Sequence, residues 1–366
     1  MRNKSSRILF FTMAIVVCLG CQKKNSGLFS IYVDASNGSQ ACLSEIAERV
    51  DRVELETTDG SLIRLIDYVE ITDNHYFVFN GVFSEVLMFD RDGRFEKPVG
   101  HIGRGPGEYT GVLQNIVDTE SRQLLLNTRQ GIMVFDEEGA YVKNVALNFI
   151  PTFMFLHNRQ LYCLHTHADW SESPETSVLL TTHNTTDWKL VDSIHFISYS
   201  EMFMPNAAAN FFSGSKRSVY FFPGVLALFA EQRRGADTLY VFEKQKLTPY
   251  LTVQFTGDEK EKRGVVNVVM TDNYSIITHA LSVMSADSPY PKSVRSQYYI
   301  DLSTMKGKNA PNGFIDDFYG GDNVIIYPIP NKNMFFYYKE NEYSPDLKTE
   351  PNPTLYVGTF KNHANQ

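Results

Sequence analysis

Two stretches of the sequence, Leu87-Met-Phe-Asp-Arg-Asp-Gly-Arg-Phe95 and Met133-Val-Phe-Asp-Glu-Glu-Gly-Ala-Tyr141, share one pattern. Each contains an apolar strand, an aspartate, a short turn with a glycine, and an aromatic residue that starts the next strand. The aspartate can cap the turn and the glycine can adopt a positive φ angle, so the pattern predicts β-hairpins. Phe89 and the equivalent Phe135 are 46 residues apart. A period of this size, holding about four strands, is typical of a β-propeller.

Short alternating strands with weaker echoes of this pattern continue to the C-terminus, and strong helical periodicity is nearly absent. We therefore predict an all-β fold, a six-bladed β-propeller with about four antiparallel strands per blade, over residues 30–366. Residues 44–49 could form one helical turn or the start of a strand. To close the ring, we expect the strand at Ile31–Asp34 to share a blade with the strand at Leu355–Val357.

The N-terminus has the pattern of a targeting segment. Arg2, Lys4 and Arg7 precede an apolar run at residues 8–19, which is too short to span a bilayer. The run ends at Gly20-Cys21 and the chain then becomes polar, as in a bacterial lipobox. We predict a lipoprotein signal peptide at residues 1–20, lipid attachment at Cys21 and a polar tether at residues 21–29. The alternative is an ordinary signal peptide with an incidental cysteine.

Composition restricts the class of protein. A hydrophobic fraction of 43% supports a packed core, and a formal net charge of −8 disfavours a nucleic-acid partner. Cys42 and Cys163 lie far apart in the sequence and lack any zinc-type spacing. A disulfide between them is permitted in an exported protein, but two separate buried thiols are favoured.

A glycine-rich stretch carries a resemblance to a known family. Lys97-Pro-Val-Gly-His-Ile-Gly-Arg-Gly-Pro-Gly-Glu-Tyr109, followed by Leu124-Leu-Leu-Asn127 and Met133-Val-Phe-Asp136, resembles an NHL-type propeller repeat. More specifically, the chain resembles the six-bladed β-propeller lipoproteins of Bacteroides-like bacteria. The resemblance implies a single exported, lipid-anchored propeller and no settled biochemical activity. Because Gln22 follows Cys21, resemblance to Gram-negative lipoproteins implies the outer membrane, on its periplasmic or cell-surface face.

The same glycine-rich stretch contains the candidate site residues. Three glycines and a proline between Gly103 and Tyr109 constrain the backbone and could present Arg104, Glu108 and Tyr109 to a ligand at a mouth of the propeller. The alternative is a tight connection between blades in which the arginine and glutamate serve the fold. No Lys-Ser/Thr pair follows the glycines, so the stretch is not a phosphate-binding loop.

Two further groups could bind a metal ion, although a structural role is favoured for both. His165 and His167 share one strand face near Asp169, and His157 or His183 could join them. The acidic turn at residues 316–322 could bind Ca²⁺ through carboxylates and carbonyls, although its spacing is not that of an EF-hand. We predict no metal and no cofactor.

The sequence favours a binding or scaffold module over an enzyme. Its partner would be a small molecule, a glycan or a protein, and its contact with the membrane would be through the lipid anchor only. The alternative is a hydrolase or lyase, possibly acting on carbohydrate, with a site at the mouth of the central channel. No nucleophile motif of the Gly-x-Ser-x-Gly type supports that alternative.

Overall fold

The computed structural model describes residues 29–35, 40–169, 175–199, 219–221, 237–243, 246–257, 263–285, 288–330, 332–342 and 350–362. The predicted signal peptide and Cys21 lie outside these residues, as does all but the last residue of the predicted tether. The described chain is almost entirely β-structure. None of its helical structure is long and apolar enough to cross a membrane.

The strands form six four-stranded sheets, which confirms the predicted six-bladed β-propeller. Four blades consist of consecutive antiparallel strands. Blade 1 contains β3 (Ile66–Ile71), β4 (His75–Asn80), β5 (Glu85–Asp90) and β6 (Phe95–Pro98). Blade 2 contains β9 (Val112–Asp118), β10 (Gln123–Thr128), β11 (Gly131–Asp136) and β12 (Tyr141–Val145). Blade 3 contains β13 (Phe153–His157), β14 (Gln160–Asp169), β15 (Glu175–Asn184) and β16 (Leu190–Tyr199). Blade 5 contains β20 (Arg263–Met270), β21 (Tyr274–Ser285), β22 (Ser288–Asp301) and β23 (Lys306–Ala310).

The other two blades each combine three consecutive strands with one strand from the N-terminal region. Blade 4 contains β17 (Val219–Phe221), β18 (Thr238–Glu243), β19 (Lys246–Thr256) and β1 (Phe29–Asp34). Blade 6 contains β26 (Tyr327–Ile329), β27 (Met334–Lys339), β28 (Thr354–Phe360) and β2 (Ala47–Glu54). The remaining elements are small: α1 (Leu43–Ile46), the pair β7 (His101–Ile102) and β8 (Glu108–Tyr109), and the pair β24 (Phe314–Ile315) and β25 (Asn323–Val324).

The predicted pairing of the first strand was wrong. Ile31–Asp34 runs parallel to β19 in blade 4, and β2 is the strand that pairs with β28, where Val53 lies opposite Leu355. In the described part of the chain, three consecutive strands form the inner part of each of blades 4 and 6, and the fourth strand of each blade comes from the N-terminal region. β1 and β2 cover the outer edges of these two blades, because unpaired edge groups need hydrogen-bond partners.

Residues 40–46, which precede β2 and include the short helix α1, lie against blade 5. Ala41 donates its N–H to the carbonyl of Asn309 on β23, at 2.9 Å. Glu45 in α1 accepts hydrogen bonds from the hydroxyl of Tyr299, at 2.5 Å, and from the ammonium of Lys308, at 2.7 Å. Residues 29–35 and 40–54 therefore lie along the outer edges of blades 4, 5 and 6.

The core lies between the blades. Six clusters of buried apolar residues fill the six junctions between neighbouring blades, from blades 1 and 2 round to blades 6 and 1, so the ring is closed. The first strands of blades 6, 1, 2 and 3 contact one another and surround the central axis. We call the face where these first strands begin the upper face, and the face where they end the lower face.

The repeated turn has the predicted geometry. Asp90 accepts N–H groups of Asp92 and Arg94 through Oδ1, at 2.9 and 2.8 Å, and Gly93 has a φ angle of 86°. In blade 2, Asp136 accepts the N–H of Ala140 at 2.7 Å. Each turn thus joins the third and fourth strands of its blade through one carboxylate.

The two cysteines of the described chain are free thiols, as the sequence favoured. Cys163 is fully buried on β14, where burial raises the pKa of its thiol. Cys42 is half-buried and immediately precedes α1. The two residues belong to different parts of the ring, since β14 is in blade 3 and α1 lies beside blade 5.

Candidate functional site

The glycine-rich loop lies on the upper face, between the last strand of blade 1 and the first strand of blade 2. It is held by its own backbone. The N–H of Gly103 donates to the carbonyl of Tyr109 at 2.9 Å, and the N–H of Glu108 donates to the carbonyl of Gly105 at 3.0 Å. β7 and β8 form a parallel pair at the two ends of the loop. The loop therefore has a fixed shape at the junction of two blades.

The Glu108 carboxylate is directed into the loop. Its Oε2 accepts the N–H groups of Arg104 and Gly105 at 2.9 and 2.7 Å. A side chain at Gly103 would collide with this carboxylate, which explains a glycine at that position. Glu108 thus closes the loop, in the manner of a capping carboxylate, rather than extending away from it.

Tyr109 is part of the packed interface between blades 1 and 2. Its side chain is 1% exposed, and its hydroxyl donates to the carbonyl of Val99 at 3.0 Å. Burial raises the pKa of this hydroxyl well above its ordinary value. Arg104 is exposed, and it forms no ion pair with any described residue. The structure thus brings the three predicted site residues together, with Arg104 alone presenting its side chain to solvent.

Five exposed apolar side chains lie beside this loop. The exposed fractions are 39% for Leu65, 57% for Val82, 47% for Phe83, 62% for Ile102 and 39% for Leu113. We call these five residues the apolar rim. Such residues are common singly on protein surfaces, whereas several of them in neighbouring turns on one face are typical of an interaction surface.

Backbone hydrogen bonds keep the parts of the apolar rim together. The N–H of Gly81 donates to the carbonyl of Leu65 at 3.0 Å, and the N–H of Val112 donates to the carbonyl of Ser84 at 3.0 Å. The hairpin turn between β4 and β5 is therefore fixed to the starts of β3 and β9. Sequence reasoning missed this surface, because each rim residue looks like an ordinary strand-end apolar residue.

A second concave region lies on the lower face. It is a cleft of about 450 Å³, lined by the turn between β3 and β4, the turn between β9 and β10, and Lys332 from the turn between β26 and β27. These turns join first and second strands, so the cleft opens opposite to the glycine-rich loop. Arg122 at its edge forms an ion pair with Glu137.

A buried carboxyl group lies on the strand next to one that contributes to this cleft. Glu70 on β3 is 2% exposed and lies opposite Phe77 in the pairing of β3 with β4, and it is not itself one of the residues that line the cleft. Its Oε1 has no hydrogen-bond partner. Burial raises the pKa of this carboxyl well above its ordinary value, and the nearby charge of Lys332 opposes the rise. Sequence reasoning missed Glu70, because a lone acidic residue in a strand carries no motif.

The histidine candidates do not form a metal centre. His165 is buried against the ring of Phe149, with stacked centroids 3.8 Å apart. Burial lowers the pKa of His165 to about 4, assisted by His167 and His183. In the described part of the chain, no three His, Cys, Asp or Glu side chains are placed to hold a metal ion.

The acidic turn at residues 316–322 surrounds a lysine ammonium. Lys339 Nζ lies 2.7 Å from Oδ2 of buried Asp316 and 3.1 Å from Oδ2 of Asp322. It also donates to the carbonyl of Tyr319 at 2.6 Å. These oxygens are the type that Ca²⁺ would use, but Lys339 supplies the positive charge instead. The described contacts of the turn are therefore those of a structural element.

The chain matches a known family and is similar in fold to solved structures. A family model described as a domain of unknown function, DUF4934, matches residues 28–359. A Bacteroides fragilis protein inferred to be exported is similar at 12% identity and a TM-score of 0.62, over 92% of this chain and 100% of that one. A DUF4221 protein of Bacteroides vulgatus is similar at 12% identity and a TM-score of 0.54, over 86% of this chain and 97% of that one. No curated protein matches the chain.

Proposed function

The chain belongs to the DUF4934 family, and from that premise we propose that it is an exported, lipid-anchored binding module of the outer membrane. Its partner in this proposal is a protein that docks on the upper face. The single observation that carries the proposal is the apolar rim beside the glycine-rich loop. Contact with the membrane is through the lipid at Cys21 only.

Export is supported by two independent features. The basic residues Arg2, Lys4 and Arg7, followed by an apolar run and Gly20-Cys21, have the order of a lipoprotein signal peptide. The Bacteroides fragilis protein of similar fold is itself inferred to be exported. Several acyl chains on one cysteine give a stable anchor, because each buried CH₂ group adds about 0.8 kcal/mol.

The apolar rim supports a protein partner. Phe83 and Ile102 are among its most exposed members, at 47% and 62%, and both are held on constrained turns. Ordering such turns on binding costs little entropy, so most of the contact energy remains available. Arg104 stands beside the rim as an exposed cation, and arginine is enriched in protein interfaces. The upper face therefore presents exposed apolar side chains together with an exposed cation.

In vivo photo-crosslinking tests this proposal. A photoreactive amino acid in place of Phe83 or Ile102 should give a discrete adduct with one protein in the native bacterium. The matched control is Leu190 at the start of β16, which is 59% exposed in another blade. The same substitution at Leu190 should give no such adduct. An identical adduct from all three positions, or none from the rim, would contradict the proposal.

A double variant then distinguishes a site from a structural role. Phe83→Asp/Ile102→Asp should abolish the adduct formed from position 113 and leave the melting temperature nearly unchanged, since both side chains are exposed. Arg104→Ala should reduce the yield of this adduct less than the double variant of the rim does. A rim variant that melts much earlier than the parent would show that these residues serve the fold.

A further inference from the structure

We propose that the partner of the upper face docks through an acidic surface, whose carboxylates meet three exposed arginines beside the apolar rim. These residues are Arg64, Arg104 and Arg129, and we call them the arginine group. The inference rests on the proposed function, since it concerns the protein that the apolar rim is proposed to bind. It goes beyond that proposal by giving the sign of the partner's charge and the residues of this chain that recognise it.

Arg64 and Arg104 are close in sequence to residues of the apolar rim. Arg64 directly precedes Leu65, and its N–H donates to Oδ1 of Asn80 at 3.3 Å, where the turn between β4 and β5 begins. Arg104 follows Ile102 by two residues, and hydrogen bonds within the glycine-rich loop hold its backbone. Both arginines therefore stand on backbone that the fold fixes beside the rim.

Arg129 belongs to the same surface, although it comes from blade 2. It lies in the turn between β10 and β11, which joins a second strand to a third strand and is therefore on the upper face. Its neighbour Thr128 pairs with Val112 across β10 and β9. The N–H of Val112 donates in turn to the carbonyl of Ser84 at 3.0 Å, next to Phe83 of the rim. Backbone contacts thus connect Arg129 to the apolar rim.

The charges of the arginine group are not neutralised within the described chain. All three side chains are exposed, and none forms an ion pair with a described residue. The described segments of this surface are residues 64–67, 80–85, 99–113 and 128–131. Of their three carboxylates, Glu108 accepts N–H groups of the glycine-rich loop, and Glu85 accepts the side-chain amide of Asn80 at 3.3 Å. Asp67 is the third, so three exposed arginines face one carboxylate without such a role.

This positive charge is opposite in sign to that of the whole chain and of the lower face. The chain has 34 basic and 42 acidic residues, with a formal net charge of −8. The lower cleft is lined by three acidic and two basic residues, Asp73, Asp118, Glu137, Arg122 and Lys332. An acidic partner is therefore attracted to the upper face of blades 1 and 2 and repelled by the net charge of the chain, which orients it during approach.

The exposed apolar side chains favour an acidic protein over other polyanions. A nucleic acid or an anionic polysaccharide could pair with the arginines, but it would leave Phe83 and Ile102 in water. A protein surface can present carboxylates and apolar side chains together. Guanidinium groups suit carboxylates in particular, because their planar N–H groups donate two parallel hydrogen bonds to one carboxylate.

Photo-crosslinking in the envelope fraction of the native bacterium tests the inference, with a photoreactive amino acid in place of Leu113. The yield of the parent adduct should fall about three-fold or more between about 50 and 500 mM salt, because exposed ion pairs are screened. Arg64→Glu/Arg104→Glu/Arg129→Glu should lower the yield about ten-fold or more and remove most of this salt dependence. The corresponding triple lysine variant keeps the charges and should retain more than about half of the yield.

A matched control changes the net charge of the chain by the same amount away from the rim. The variant is Arg49→Glu/Arg52→Glu/Lys189→Glu, whose side chains are 67%, 49% and 82% exposed on blades 6 and 3. It should lower the yield much less than the glutamate variant of the arginine group does. Both glutamate variants should melt near the temperature of the parent, since they replace exposed side chains.

Mass spectrometry of the adduct then identifies the chemistry of the partner. The partner peptide joined to position 113 should contain more Asp and Glu than Lys and Arg. Replacing those carboxylates with lysine should restore the adduct with the glutamate variant of the arginine group.

The possible failures distinguish this inference from the proposed function. A protein adduct that is insensitive to salt and to the glutamate variant would overturn the inference alone. So would an equal loss of yield in the two glutamate variants, or a partner peptide with an excess of basic residues. No adduct from the parent, or an adduct that contains no protein, would overturn both.

Discussion

Replacing His279 with leucine should make the protein more stable and less sensitive to acid. His279 lies on β21, the second strand of blade 5, and its side chain is 1% exposed. Neither ring nitrogen has a hydrogen-bond partner, and the ring packs edge-on against Phe255, with centroids 5.2 Å apart. Burial, assisted by the positive charge of Arg263, lowers the pKa of His279 from 6.5 to about 4.

The sign of the pH effect follows from this direction. The pKa is lower in the folded state, so the unfolded chain binds the proton first as the pH falls. Stability is complete above pH 6.5 and is lost progressively as the pH approaches 4. One pKa unit corresponds to about 1.4 kcal/mol, which gives a total of about 3 kcal/mol for His279 and about 2 kcal/mol of that by pH 5.

Leucine removes both the titration and the two unpartnered nitrogens. At pH 7.5 the variant should gain about 1–3 kcal/mol, because a buried imidazole without partners carries a desolvation cost. Urea denaturation of the parent and of His279→Leu at pH 7.5 and pH 5.0 measures both effects. The difference between the two proteins should widen by about 2 kcal/mol at the lower pH.

The control is His101→Leu, a histidine that is exposed on β7. This variant should follow the parent at both pH values, because the side chain is exposed and its replacement removes no buried group. An equal pH dependence in His279→Leu and the parent would refute the reasoning. The reasoning would also be refuted if His279→Leu were less stable than the parent at pH 7.5 by more than the gain of about 1–3 kcal/mol expected above.

Three further outcomes are expected. Cys21→Ala should move the protein from the membrane fraction to the soluble fraction, and retention after a salt wash would contradict lipidation. Asn352→Ala should lower the free energy of unfolding, measured in urea, by about 2–4 kcal/mol, because its buried amide joins three backbone groups of residues 56–63. A loss below about 0.5 kcal/mol would show that these three hydrogen bonds are dispensable. Lys339→Met should cost about 3–5 kcal/mol by leaving Asp316 buried and uncompensated, whereas Lys189→Met should cost almost nothing.

Local features of the fold could be predicted because the contacts that make them are close in sequence. Asp90 caps a turn that ends four residues later, and Phe95, which follows that turn, packs edge-on against Phe89 with centroids 5.6 Å apart. The equivalent rings of Phe135 and Tyr141 are 5.8 Å apart in blade 2. A short window of sequence contains each complete interaction, so the repeat was visible and the propeller followed from it.

The location of the first strand could not be predicted in the same way. Phe29 pairs with Leu251, and no local pattern connects two segments so far apart. The choice depends on which blade has an uncovered outer edge, and that is a property of the assembled ring. The sequence therefore indicated that an N-terminal strand closes the ring, but assigned this role to Ile31–Asp34 instead of Ala47–Glu54.

The same difference between local contacts and contacts far apart in sequence applies to the candidate sites. Glycines marked the loop at residues 103–109, since tight backbone turns require them, but the roles of Glu108 and Tyr109 depend on hydrogen bonds that spacing does not encode. Glu70 carries no signal in Ile66–Ile71, because Val117 and Lys332, which influence the pKa of its carboxyl group, come from two other blades. Sites at junctions between blades become recognisable only once the blades are placed beside one another.

The order of the blades also places the two candidate sites on the same side of the ring. The apolar rim and the lower cleft both lie mainly on blades 1 and 2, and in a ring of six blades blade 1 is opposite blade 4. β1, at the outer edge of blade 4, begins at Phe29. Under the proposed lipidation of Cys21, a linker of eight residues would reach about 28 Å at most, which would hold that edge of the ring near the membrane. Blades 1 and 2 would then lie on the far side of the ring, away from the lipid surface.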